Sequence, residues 1–205
     1  MFARYRNALA ARLAPGSFPQ TPPPWAANVP PPGFSTVPLT DNVLLHLTDG
    51  RSFKSTRGRK ALLGSAQLDA FEEACKSASA DTVHLLASGV VFEARNGETW
   101  LNCAAEHDRL LALADDYRIL ILSGDVHHNN ITQYPTPRGR LLFEATASGA
   151  AVCTAVTLGA LQCNWGLLDI DADRITVQVF QDGQDPRPET IDRQSWRWVP
   201  QPAVA

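Results

Sequence analysis

The stretch Arg118-Ile119-Leu120-Ile121-Leu122-Ser123-Gly124-Asp125-Val126-His127 decides the reading of this chain. Four consecutive aliphatic residues predict a buried strand. The run stops abruptly at Ser123-Gly124-Asp125, where Gly124 permits a sharp turn off the strand. In open α/β sheets ligands sit beyond the carboxyl ends of the strands, and Asp125 falls in that place.

Upstream, the same pattern repeats twice. Val43-Leu44-Leu45-His46-Leu47 is an apolar run closed by Thr48-Asp49-Gly50, and Thr82-Val83-His84-Leu85-Leu86-Ala87 ends at Ser88-Gly89. Both predict buried strands ending in turns. Between them, Leu68, Phe71 and Cys75 share one face of a predicted helix opened by Ser65 as its N-cap. A second helix is predicted over Glu106 to Leu113. Downstream, Leu141 to Thr146 reads as another strand. Trp165 to Ile170 and Ile175 to Phe180 flank Asp171-Ala172-Asp173-Arg174 as a β-hairpin with one wet face. Strand–helix–strand–helix–strand followed by a hairpin predicts an α/β fold with a mixed β-sheet.

Three segments are expected: a proline-rich, extended segment over 1–40, a domain over 41–183, and a tail over 184–205 that packs across the surface. Residues 152–163 read equally as helix or loop. The 205 residues suffice for one domain with a sizeable core. A hydrophobic content of 44% and a charged content of 19% are those of an ordinary globular chain. A net charge of −3 gives no basic field for nucleic acid or an anionic membrane. No apolar run reaches bilayer length, and no apolar stretch follows the basic residues Arg4 and Arg6, so a cytoplasmic protein is expected. Cys75, Cys103, Cys153 and Cys163 form no C-x-x-C pair and read as reduced core thiols.

Gly124-Asp125-Val126-His127-His128-Asn129-Asn130 concentrates one carboxylate, two imidazoles and two amides. Carboxylate oxygen with imidazole nitrogen suits Zn, Fe or Mn, and the carboxylate also suits Ca. The spacing of Asp125 and His127 would aim both side chains to one side of an extended loop. The competing reading is a polar turn in which Asp125 and Asn129 cap backbone groups. Arg51 either holds an anion or pairs with Asp49. His46 reads as a packed core histidine, His107 as a surface residue, and His46, His84 and His107 as isolated from one another.

Several of these motifs, taken in order, resemble the alkaline phosphatase D (PhoD-like) metallophosphatases. The resemblance rests on Leu47-Thr48-Asp49-Gly50-Arg51-Ser52, on Leu62-Leu63-Gly64-Ser65-Ala66-Gln67, and on Leu85 to Phe92. It continues through Trp100 with Glu106 to Leu111, through Leu120 to His127, and through Glu144-Ala145-Thr146-Ala147-Ser148-Gly149. It spans roughly residues 40–180. It implies the C-terminal half of a four-layer αββα metallophosphatase sandwich, with a dinuclear centre of Ca, Fe, Mn or Zn that hydrolyses phosphate esters. It also implies that Asp125 and His127 are metal ligands, with Arg51, His128 and Asn129 as candidate substrate contacts or supports around them. The family's early motifs, which supply the remaining ligands, have no counterpart in this sequence. The partners expected are therefore a small phosphate ester and either a missing N-terminal half or a second copy of the chain. The alternative is a non-catalytic truncated remnant or interaction domain that keeps the fold without activity.

Overall fold

The computed structural model describes residues 33–51, 53–55, 60–94, 97–149, 164–181, 185–186 and 188–200. Ten strands are described in chain order. They are β1 (Ser35–Thr40), β2 (Val43–Leu47), β3 (Val83–Ala87), β4 (Arg118–Ser123), β5 (Asn129–Pro135), β6 (Leu141–Ala147), β7 (Asn164–Ile170), β8 (Arg174–Gln181), β9 (Glu189–Asp192) and β10 (Arg197–Trp198). Helix α1 (Ser65–Ser77) joins β2 to β3, and α2 (Ala104–Ala114), entered through a 3₁₀ turn over Trp100–Cys103, joins β3 to β4.

Six strands form a mixed sheet in the order β1-β2-β3-β4-β6-β5. The neighbours from β2 to β6 are parallel, and β1 and β5 close the two edges antiparallel. The other four form an antiparallel sheet in the order β10-β9-β8-β7. The α/β content and the mixed sheet expected from the sequence are present, and the predicted hairpin is β7–β8.

Strand alternation divides the core in two. Ile119 and Ile121 of β4 face the helices and pack with Leu68, Phe71, Cys75, Leu110 and Leu142. Leu120, with Phe143 of β6, faces the second sheet and packs against Ile175, Val177, Ile191 and Trp196. This double burial is why β4 reads as an unbroken aliphatic run rather than an alternating one. The Trp196 indole N–H donates to the Leu141 carbonyl at 2.9 Å, which satisfies its one polar group inside the inter-sheet core.

Four expectations are corrected. The segment 1–40 is not wholly a surface segment, because β1 is hydrogen-bonded to β2 as an edge strand. Pro38 is tolerated there because an edge strand needs donors on one side only. The tail beyond 184 is likewise not a mere covering: β9 and β10 complete the second sheet. Ser65 does not cap α1. The buried Glu106 carboxylate instead holds the turn that leads into it, accepting from the backbone N–H groups of Leu62, Leu63 and Gly64 at 2.8, 3.0 and 2.8 Å. Buried backbone donors outside regular structure need such an acceptor. Finally, Asn129 to Pro135, which carried no strand signal, is β5. The ambiguous stretch 152–163, with Cys153 and Cys163, lies outside the described residues, and so do residues 1–32. Cys75 and Cys103 are free and buried. No helix among the described residues is long and apolar enough to cross a membrane.

Candidate functional site

The loop after β4 emerges at the end of the central strand, as expected, but it is not extended. Asp125 and His127 both take left-handed backbone conformations, with φ of 73° and 57°. For non-glycine residues this is uncommon, and it is maintained only where surrounding contacts hold it. Those contacts are visible. Ser148 Oγ accepts from the His127 backbone N–H at 2.9 Å. The His128 Nδ1–H donates to the Val126 carbonyl at 3.0 Å, closing the turn from inside. At Gly124 an added Cβ would come within 3.3 Å of the Ser148 Cβ, so a side chain there would crowd the same support.

Arg51 reaches this loop from the turn after β2. It donates to Asp125 Oδ1 at 3.4 Å and to Glu98 Oε2 at 3.0 Å. Lys54 meets the other oxygen of Glu98 at 2.5 Å. The Glu98 carboxyl is held below its usual range, chiefly by the Lys54 hydrogen bond and then by the charges of Lys54 and Arg51. Two cations therefore alternate with two carboxylates, and Arg51 lies between Glu98 and Asp125. Of the two readings of Arg51, a pairing role is observed, but with Asp125 and Glu98. Asp49 Oδ1 accepts instead from the Arg51 backbone N–H at 3.0 Å.

The expected site residues are thus brought together unevenly. Arg51 and Asp125 meet. His127 and His128 stand in the same loop, but they hold it by backbone and local contacts. Asn129 has passed into β5, where its amide donates to Gln181 Oε1 on β8 at 2.8 Å, bridging the two sheets. Among the described residues no group of three or more His, Cys, Asp or Glu side chains is placed to hold a metal ion. Asp125 and His127 alone do not complete a metal centre.

Sequence reading missed the layer beneath the loop. Ser123 Oγ and Thr146 Oγ1 are 2.7 Å apart. Behind them Glu144 is buried. Its Oε1 accepts from the Phe92 backbone N–H at 2.7 Å, and its Oε2 accepts from the Tyr134 hydroxyl at 2.6 Å. Burial raises the Glu144 carboxyl, against the opposing pull of hydrogen bonds from Tyr134, Ser123 and Phe92. Tyr134 is raised too, by burial and then by the Glu144 charge beside it. At the start of β7, Asn164 Oδ1 accepts from the Gly149 N–H at 3.0 Å. The alternation Glu144-x-Thr146-x-Ser148 was the available signal, since these positions fall two apart.

The histidine expectations are also corrected. His46 is indeed a buried core residue, but it is not isolated from His84: His46 Nε2 and His84 Nδ1 are 3.0 Å apart, and Thr36 Oγ1 lies 2.9 Å from His46 Nδ1. His107 is not a surface residue. It is buried, stacks on Phe92 at 4.4 Å, and places its nitrogens 2.9 Å from Glu93 and 3.1 Å from Asp108.

No family model matches this chain, and no curated protein matches it.

Proposed function

We propose that this chain is the C-terminal half of a PhoD-like metallophosphatase unit, a metal-dependent phosphoesterase by ancestry. Asp125 and His127 would be its share of a dinuclear Ca, Fe, Mn or Zn centre, and phosphate esters its substrates. The supporting observation is the paired left-handed backbone of Asp125 and His127 directly after the central strand. Backbone strain of about 1–3 kcal/mol per residue persists where a loop must present particular groups. The two-sheet packing and the helices on one face are compatible with part of an αββα sandwich. A metal supplies Lewis acidity toward phosphoryl oxygens when bound. Among the described residues no third donor joins Asp125 and His127, so the described part of the chain would present the Asp125 carboxylate and the His127 imidazole, with Arg51 paired to Asp125.

A second reading, a non-catalytic interaction domain, is favoured by the ion pair that already engages Asp125. One experiment separates the two. The full chain is assayed for metal uptake and for hydrolysis of p-nitrophenyl phosphate and bis-p-nitrophenyl phosphate with added Ca, Fe, Mn or Zn. Metal-stimulated hydrolysis that the Asp125→Ala/His127→Ala double variant abolishes is the expected result. No metal uptake and no hydrolysis would leave the interaction domain as the reading.

A further inference from the structure

The first sheet is closed at one edge by β1, which pairs with β2. No side chain of β1 belongs to either hydrophobic core, and Pro38, Leu39 and Thr40 are exposed. Two side-chain contacts tie this part of the chain inward, and both meet His46 of β2. Thr36, opposite His46 in the register, places its Oγ1 2.9 Å from His46 Nδ1. Phe34, the residue before β1, is buried and stacks on the His46 ring at 5.8 Å and 15°.

His46 in turn meets His84 of β3, Nε2 to Nδ1 at 3.0 Å, and both residues are fully buried. His84 Nε2 has no hydrogen-bond partner among the described residues. Two neutral imidazoles carry two N–H groups on four nitrogens, and the contact between the rings has room for one. A third proton therefore forces an N–H onto both outer nitrogens, and one of these is the unpartnered His84 Nε2. A cation with a buried donor that lacks an acceptor is strongly disfavoured. The groups packed around the pair do not offset the charge. Phe34 and Thr36 face His46 from β1, Phe71 faces both rings from α1, and Tyr117 meets His84 edge-on from beyond α2. Cys75 stands one turn after Phe71, its thiol pushed up to about 12 by burial and then by Glu72. The ionised groups beside it, Glu72 and Lys76, pair with each other at 2.6 Å, and Glu72 also pairs with Arg109 at 2.5 Å.

We propose that β1 is an acid-released strap, which detaches from β2 with Phe34 and Thr36 as His46 takes up a proton from water. β1 is the element that moves because it gives up a single ladder of backbone bonds, whereas His84 stands on β3 between β2 and β4. Once Phe34 and Thr36 have left, the His46 ring reaches water as a cation and His84 stays neutral with its one N–H. Burial, and then His84, hold His46 down to about 3 in the closed form, against about 6.5 for an imidazole in water. The closed strand is therefore fully favoured above about pH 6.5, and that preference is lost as the pH falls through this window. Detachment bares the edge of β2, an apolar run that β1, blunted by Pro38 and an irregular register, otherwise covers.

Amide hydrogen exchange of the full chain, followed by NMR from pH 7 to pH 5 and corrected for the intrinsic pH dependence of exchange, reads the opening of each strand. The amides of β1 should be less protected than those of β3 and β4 at every pH. Their protection should fall roughly tenfold between pH 6 and pH 5, the linkage of one proton. His46→Gln, which keeps a polar side chain toward Thr36 and does not titrate, should flatten that fall. Thr36→Val, which removes the hydroxyl and keeps the branched shape, should loosen β1 roughly threefold to tenfold at every pH and leave β4 unchanged. Protection of β1 equal to that of β4 would overturn the proposal. So would an undiminished pH dependence in His46→Gln, or a Thr36→Val chain in which β4 loosens as much as β1.

Discussion

Lowering the pH should destabilise this protein through two residues far from the loop. His46 and His84 are fully buried, hydrogen-bonded to each other, and packed against Phe34, Phe71 and Tyr117. Burial, and then the neighbouring His84, lower the His46 pKa to about 3, and burial lowers that of His84 to about 4. In the unfolded chain both titrate near the ordinary value of about 6.5. The unfolded state therefore binds more protons than the folded state between about pH 6.5 and pH 3. Stability contributed by the neutral pair is present above pH 6.5 and is lost as the pH falls through that window. Each group contributes a slope of about 1.4 kcal/mol per pH unit, so the pair contributes about 2.7 between pH 6 and pH 5. From pH 7 to pH 4 the loss reaches at most about 6 kcal/mol, comparable with the whole stability of a small domain. Urea unfolding measured at steps from pH 7 to pH 4.5 would read the slope. The His46→Gln/His84→Gln variant, which keeps polar groups in place without titrating, should remove most of it. Equal slopes in the two proteins, or an imidazole NMR titration of either residue near pH 6.5 in the folded chain, would refute the reasoning.

Glu106→Ala should cost on the order of 3 kcal/mol in urea unfolding, because three backbone donors in the turn leading into α1 lose a charged acceptor; Glu106→Gln should cost less. Arg51→Ala should change stability by less than about 0.5 kcal/mol, since the side chain is 66% exposed and its ion pairs are screened by water. A larger loss would mean that Arg51 holds the loop as a structural strut. Cys75, buried and with its thiol pushed up to about 12 by burial and the nearby Glu72, should react with a thiol reagent only as fast as the protein opens. Labelling of Cys75 at the rate of a free peptide thiol would contradict its burial.

Much of the fold is written as local pattern. β2, β3 and β4 are short aliphatic runs because each is covered on both faces, and a run of that kind is legible without knowing its neighbours. The hairpin β7–β8 is legible for the opposite reason: one face is wet, so Thr176 and Gln178 alternate with Ile175, Val177 and Val179. β5 was not legible. Asn129-Asn130-Ile131-Thr132-Gln133-Tyr134-Pro135 is a polar sequence that becomes a strand by pairing along its whole length with β6, and an edge strand needs little apolar content of its own. β9 and β10 were not legible either. Their residues look like a tail, and it is Ile191, Trp196 and Trp198, packed with Phe143 and Ile175, that join them to the core.

The candidate site divides along the same line. The loop itself was visible as a concentration of donors, but what holds it comes from residues distant in sequence. Ser148 reaches His127 from 21 residues away, Arg51 reaches Asp125 from 74, and Gln181 meets Asn129 from 52. No period or spacing encodes such pairs. The nearest thing to a signal is the alternation of Glu144, Thr146 and Ser148, which sends three polar groups toward the end of β4 from one neighbouring strand. Because side chains alternate faces, a register slip of one residue between β4 and β6 would turn Thr146 away from Ser123 and put Glu144 into the inter-sheet core beside Leu120. The parallel register Leu120↔Phe143 through Ser123↔Thr146 prevents this. The same hydrophobic alternation that sorts Leu142 and Phe143 into separate cores therefore also fixes where the polar supports of the Asp125 loop must stand.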